Sequence, residues 1–210
     1  MRNESEVREA LIRNTIRLIA DGGFEKATTR AIASNENNPS SVKLNEIYIY
    51  RLFGSKESLY GETFSILEKV LVEATEKVVV DGCRSSYPVK KNMYILYSHL
   101  WRFILGNEER CRCYVRYYYS IYYKGDSQKK HNVEFNRLLS PFSFLFKAEA
   151  DWFSLMHSAF TAMLDFAIRV YNGDILDTED STLHIFNVIY NSIASYLVDG
   201  DKYRDTIIVD

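Results

Sequence analysis

Cys111 and Cys113 stand two apart, with Cys83, His99 and His131 elsewhere, and thiolates with imidazoles are the usual material of a zinc or thiol centre. The spacing is poor for that chemistry. On a helix, side chains two residues apart point in quite different directions, so one ion would not meet both sulfurs. The ordinary reading is buried or spectator thiols, with a metal or thiol sensor kept as the minor alternative and no metal site assigned. The four histidines show no His-Glu-x-x-His spacing. There is no glycine-rich phosphate loop and no Gly-x-Ser-x-Gly elbow, so no catalytic set can be assembled. Neither an enzyme nor a cofactor is expected.

Aromatic side chains offer a different chemistry. The chain of 210 residues holds 16 tyrosines and 12 phenylalanines. Many cluster: Tyr94, Tyr97 and Trp101, then Tyr114, Tyr117, Tyr118, Tyr119, Tyr122 and Tyr123. Aromatic walls with a few hydroxyls suit a concave small-molecule pocket. For any single tyrosine, filling the core between helices is the simpler reading. As a group they point to a pocket for an aromatic or apolar effector, with Tyr97, Trp101, Tyr117, Tyr118, Trp152 and Met156 as its candidates. Glu149 and Asp151 would favour a cationic ligand, but solvated charges at a helix start explain them more simply.

The elements that must position these groups read as helices. Three prolines and nine glycines leave long uninterrupted segments. Residues 4–21 form the first, with Asn3 and Glu6 as a capping box and Gly22-Gly23 as the stop. Phe24 follows as a core plug. A short helix over 29–33 precedes a polar stretch, 34–43, of loop composition. A third helix covers 44–53, with Ile32, Ile47, Ile49, Leu52 and Phe53 as a small core. Gly54 breaks it, Ser55 caps the next, and a long helix runs to Val80. Further helices are expected near 88–105, 107–124, 128–146, 149–172 and 180–198, with Pro141 kinking or breaking the third of these. On the last two, Leu164, Ile168 and Tyr171 share a face, as do Leu183, Phe186, Ile189 or Tyr190, Ile193 and Leu197. Two adjacent amphipathic helices repeated by a twofold axis make a four-helix bundle, so these residues are expected to join two copies in a homodimer.

Bulk properties bound the function only loosely. The net charge is -2 and the pI near 6.1, with nine Lys/Arg against eight Asp/Glu in residues 1–60. A nucleic-acid partner would therefore need locally placed cations. No apolar run is long enough for a membrane span, no secretory signal opens the chain, and three cysteines make no disulfide framework. No membrane association is expected, and a reducing cytoplasm is the simplest location.

Residues 5–70 carry a recognisable pattern. REALIRNTIRLIADGGFEKATTRAIA followed by IYIYRLFGSKESLY resembles the DNA-binding module of the TetR family of transcriptional regulators. The first block matches the end of the family's first helix and start of its second. The other matches the end of its recognition helix and the start of its fourth helix. The resemblance implies an all-α, Ω-shaped homodimer: a three-helix helix-turn-helix domain over 1–55 and a ligand-binding and dimerisation domain over 56–210. It implies a regulator, usually a repressor, that leaves a palindromic double-stranded operator when a small molecule binds. Asn45, Glu46 and Tyr48 become base-reading candidates, and Thr29, Arg30, Tyr50 and Lys56 phosphate contacts. Lys56 would add its charge to the free N–H groups of a helix start. One departure stands out. The ten residues 34–43 replace a turn of about four, where the angle between the two DNA-facing helices is set. The alternative is therefore a TetR-like ligand-binding dimer with altered or lost operator binding.

Overall fold

The computed structural model describes residues 2–36, 42–82 and 86–205; the side chains of Arg2, Asn3 and residues 77–82 lie outside that description. Its α-helices are α1 (Arg2–Gly22), α2 (Thr29–Ile32), α3 (Ile47–Phe53), α4 (Lys56–Gly82), α5 (Val89–Leu105), α6 (Glu108–Tyr118), α7 (Asp126–Leu139), α8 (Trp152–Tyr171) and α9 (Glu179–Ile193). Short 3-10 turns cover Ser140–Leu145, Ala194–Tyr196 and Gly200–Tyr203. Among the described residues there is no strand, in keeping with the all-α expectation; Phe146 and Leu197 form one isolated bridge. No helix among them is long and apolar enough to cross a membrane.

Side-chain caps set the starts. Thr28, in extended backbone, accepts the Ala31 N–H at 3.2 Å, and Ser55 accepts the Ser58 N–H at 3.0 Å ahead of α4. Asp151 and Thr178 cap α8 and α9 in the same way. Each satisfies an N–H that the first helical turn leaves unbonded. Gly54 ends α3 at φ 81°, a backbone conformation in which any side chain would be strained. Pro141, with no N–H and a ring that blocks the preceding turn, stops α7 at Leu139 and opens a 3-10 turn.

Several boundaries differ from the sequence expectation, for identifiable reasons. The third helix starts at Ile47 rather than Leu44. Leu44 is bonded to the Asn35 amide, its N–H donating at 2.7 Å and its carbonyl accepting at 3.2 Å, while the Asn45 side chain takes the Ile47 N–H at 3.0 Å. The helix expected over 107–124 stops at Tyr118. Ser120 donates to the Tyr117 carbonyl at 2.7 Å and accepts the Tyr122 N–H at 3.1 Å, a local turn that competes with helical bonding. Helix α1 begins ahead of its expected cap, Asn3, whose side chain lies outside the described residues. Pro88 is the N-cap of α5 rather than its first residue.

The chain forms two compact units, Met1–Val70 with Asn107–His131 and Leu71–Gly106 with Asn132–Asp210. In the first, α1 packs along α6 and touches α2 and α3. Leu11, Ile32, Ile49 and Leu59 are fully buried there, each stabilising the unit by about 1.5–3 kcal/mol relative to exposure. Phe24, the expected plug, packs edge-on against Tyr60 at 5.0 Å, and the Tyr60 hydroxyl donates to the Ala27 carbonyl at 2.6 Å. Arg8 donates to the Leu52 carbonyl at 3.1 Å, pairs with Glu62 and lies 4.5 Å over the Phe53 ring, so one guanidinium from α1 fixes the end of α3 to α4. In the second unit, α5, α8 and α9 pack on one another around Leu96, Ile104, Met163, Ala167, Ile185 and Ile193.

Candidate DNA-binding face and candidate effector cavity

In the first unit, Thr29 and Arg30 lie on α2, Asn45 and Glu46 just before α3, Tyr48 and Tyr50 on α3, and Lys56 at the start of α4. Two of them meet each other: the Thr29 hydroxyl donates to the Glu46 carboxylate at 2.6 Å. Asn45 is exposed, and its side-chain oxygen accepts the Ile47 N–H at 3.0 Å. That bond takes one of the oxygen's two lone pairs and fixes the amide, so a bidentate pairing with adenine would have to share the oxygen with the Ile47 N–H. Tyr48 is half-buried beneath the Arg51 guanidinium at 4.8 Å, and Arg51 is paired with Glu4 at 2.7 Å. Arg30 and Tyr50 are exposed. Lys56 is half-buried in the first turn of α4, its ammonium 5.7 Å from the Tyr60 ring.

The small core of this module is not the expected set. Ile32 and Ile49 are fully buried and Leu52 and Phe53 half-buried, but Ile47 is 68% exposed. Leu44, which the sequence reading did not single out, is buried in the module. Of the long segment between α2 and α3, residues 37–41 lie outside the described residues. Its base is closed by side-chain amides. Asn35 brackets Leu44, and buried Asn14 of α1 donates to the carbonyls of Ile32 at 2.8 Å and Ser34 at 3.2 Å. The Asn14 bonds tie the end of α2 to α1, and the Asn35 bonds tie it to the approach of α3.

The second unit holds a cavity of about 60 Å³ between α4, α5, α7, α8 and α9. Two of the pocket candidates, Tyr97 and Met156, line it, with Met93, Phe160, Met163 and Phe186 among the other lining residues. Among the described residues no charged side chain lines it. Its three hydroxyls are already bonded: Thr75 to the Leu71 carbonyl at 2.8 Å, Tyr97 to that of Thr182 at 3.0 Å, and Tyr190 to that of Gly200 at 2.9 Å. Burial raises the Tyr97 hydroxyl well above the usual phenol range, and raises that of Tyr190 to about 12, with the Asp201 charge adding to it. Both stay neutral donors.

The other pocket candidates sit elsewhere. Trp101 lines a second, open cleft of about 850 Å³ between α5 and residues 177–183, its indole N–H donating to Thr182 at 3.2 Å. Tyr117 and Tyr118 belong to the first unit: Tyr117 stacks on Phe64 at 4.5 Å and bonds Ser127 at 3.1 Å, while Tyr118 stacks with Tyr114 at 6.3 Å. Tyr118 also packs edge-on at 5.6 Å against His131, whose Nδ1 lies 2.5 Å from buried Glu68. Trp152 is half-buried at the start of α8, against Phe153, and lines neither space. Glu149 and Asp151 line neither, and Asp151 is held below the usual carboxylate range by its cap bonds to Ser154.

Of the nine candidate pairing residues, Leu164, Phe186, Ile189, Tyr190, Ile193 and Leu197 are buried within the single chain. Ile168 and Tyr171 are half-buried, and the Tyr171 hydroxyl donates to the Ile104 carbonyl at 2.5 Å. Leu183 is the one of the nine that is exposed; Val188, also on α9, is exposed as well. Cys111 and Cys113 are buried on α6, burial raising the Cys113 thiol to about 12. Cys83 lies outside the described residues, and among those described no three His, Cys, Asp or Glu side chains group as metal ligands.

No family sequence model and no curated protein matches the chain. Solved structures do. A TetR family transcription regulator from Marinobacter aquaeolei VT8 is similar with a TM-score of 0.73 at 21% identity, over 91% of this chain and 98% of that one. A candidate TetR family regulator from Shewanella sp. PV-4 gives 0.67 at 15% identity, over 91% and 98%. Another from Vibrio parahaemolyticus gives 0.63 at 18%, over the same shares. The protein has the fold of the TetR family transcription regulators.

Proposed function

We propose that the protein is a non-enzymatic, sequence-specific DNA-binding transcription regulator, a cytoplasmic homodimer that represses from a palindromic operator until a small molecule occupies the second unit. The observation that carries the reading is the exposed edge of α2 and α3, with Arg30, Asn45 and Tyr50 outward and the Lys56 turn of α4 beside them, in a fold shared with transcription regulators. Residues 1–55 are the DNA domain and 56–210 the ligand and pairing domain. Arg30, Tyr50 and Lys56 hold phosphates and Asn45 donates to a base edge, while Thr29, Glu46 and Tyr48 set the surface through their bonds and packing.

The effector is neutral and apolar or aromatic, because among the described residues the cavity's lining has no charge and its hydroxyls are already bonded. A space of about 60 Å³ is smaller than the roughly 150 Å³ that admits benzene. A ligand must therefore displace Met93, Met156 and Met163, whose unbranched side chains repack readily. Helix α4 supplies Leu71 and Thr75 to the cavity and carries Lys56 in its first turn. Ligand-driven movement of α4 is the differential contact that release requires. Pairing uses the outward faces of α8 and α9 near Leu183 and Val188.

Retention of random-sequence duplexes at moderate salt tests the reading, comparing the wild type with a Tyr50→Ala, Lys56→Ala double variant. A palindrome enriched by the wild type and lost in the variant supports it. Absent or equal retention means instead a ligand-binding dimer whose DNA module no longer reads an operator, a reading favoured by the long segment before α3 and by the Thr29–Glu46 bond.

A further inference from the structure

We infer that Ile47 reads the methyl group of a thymine in the major groove. The inference rests on the DNA-binding reading and narrows what α3 can recognise. Direct readout needs side-chain groups not already engaged, and α3 offers few. The Glu46 carboxylate accepts from Thr29 at 2.6 Å, and the Asn45 oxygen accepts from the Ile47 N–H at 3.0 Å. Tyr48 is half-buried against Arg51. What stands outward is Ile47 at 68% exposure, Tyr50 one turn along at 56%, and the Asn45 NH2.

An isoleucine has no hydrogen bond to give. In the major groove the thymine C5 methyl is the one apolar group on a base edge, and side chains such as alanine and the threonine methyl meet it by contact alone. The neighbourhood suits DNA rather than an apolar protein partner. Arg30 of α2 and Lys43, four residues before Ile47, are exposed and form no ion pair among the described residues, while the neighbouring Glu46 carboxylate is engaged by Thr29, so the module carries uncommitted cations for phosphates. Leu44 and Ile49 supply the burial that the module needs, which leaves Ile47 free of a packing role.

The test uses the full chain and the duplex it enriches from a random library. That duplex is resynthesised with deoxyuridine in place of thymidine, one position at a time, which removes one methyl and nothing else. Affinities are measured by fluorescence anisotropy for the wild type and Ile47→Ala, with circular dichroism to verify the fold of the variant. The expected result is a loss of about fourfold at one thymine in each half-site, as for one methyl withdrawn from apolar contact, and no such loss in Ile47→Ala. Uracil tolerated at every position by the wild type, or a penalty undiminished in Ile47→Ala, overturns the assignment while leaving DNA binding intact. If no duplex is enriched at all, the DNA-binding reading fails and the role of Ile47 falls with it.

Discussion

Replacing Asn14 with alanine tests whether side-chain amides hold the helix-turn-helix together across its long connection. Asn14 is 4% exposed, and its NH2 donates to the Ile32 carbonyl at 2.8 Å and the Ser34 carbonyl at 3.2 Å. Each bond contributes about 1 kcal/mol net, and a buried acceptor left without a donor costs about 1–3 kcal/mol. The Ile32 bond is buried, whereas the Ser34 bond is partly open to water that can replace the lost donor. The expected loss is therefore about 2–3 kcal/mol, most of it from the Ile32 carbonyl. With a urea slope of about 2 kcal/mol per molar, the unfolding midpoint should fall by about 1–1.5 M. Amide exchange at Ile32 and Ala33, whose N–H groups bond the Thr28 and Thr29 carbonyls, should accelerate. Asn35→Ala removes two bonds at the exposed side of the same junction and should cost only about 1 kcal/mol. A midpoint shift for Asn14→Ala below about 0.3 M, with unchanged exchange at Ile32, would refute the reasoning: α2 would then be held by its apolar contacts alone.

Two further outcomes follow from close approaches and burial. At Gly200 an added Cβ would meet the Ala194 carbonyl oxygen at 2.0 Å and the Leu197 Cβ at 2.8 Å, so Gly200→Ala must shift backbone and should cost about 1–3 kcal/mol. Gly22→Ala meets only the Lys26 side chain, which must swing away from its exposed pair with Asp21, and should cost no more than about 1 kcal/mol; thermal melts rank the two substitutions. The Tyr190 hydroxyl, raised by burial to about 12 from an unfolded value near 10, keeps its proton in the folded state where the unfolded chain loses it. Its contribution is complete below about pH 10 and is lost as pH rises towards about 12. Tyr190→Phe should lower stability at neutral pH by about 1 kcal/mol, through the lost bond to Gly200, and make the alkaline decline shallower. Urea unfolding across that pH range checks it, and an unchanged slope would count against it.

The helices were legible because their punctuation is local. Thr28, Ser55, Gly54 and Pro141 act through their own backbone and the next few residues, and each does so where the sequence places it. The boundaries that moved did so through side chains reaching other backbone. Asn35 engages Leu44 from nine residues away, and Ser120 folds its neighbours into a turn. Composition marks 34–43 as polar and the segment around Ser120 as aromatic, and neither says which carbonyl or N–H a given side chain will take.

The site was harder to read, for a reason visible in α3. That helix has seven residues, fewer than two turns, so hydrophobic periodicity has too short a window to assign a face. Ile47 and Ile49 are identical residues about 200° apart around the axis, and they take opposite fates, one outward and one fully buried. The longer stripes on α8 and α9 carried the opposite ambiguity. Their period marks burial correctly, but burial within one chain and burial against a second copy leave the same pattern. Because Phe186, Ile189 and Tyr190 also line the cavity, their stripe is already occupied in a single subunit. Any pairing surface must therefore be sought on the face that periodicity marks as polar, where Val188 and Leu183 stand among Asp180, His184 and Asn191.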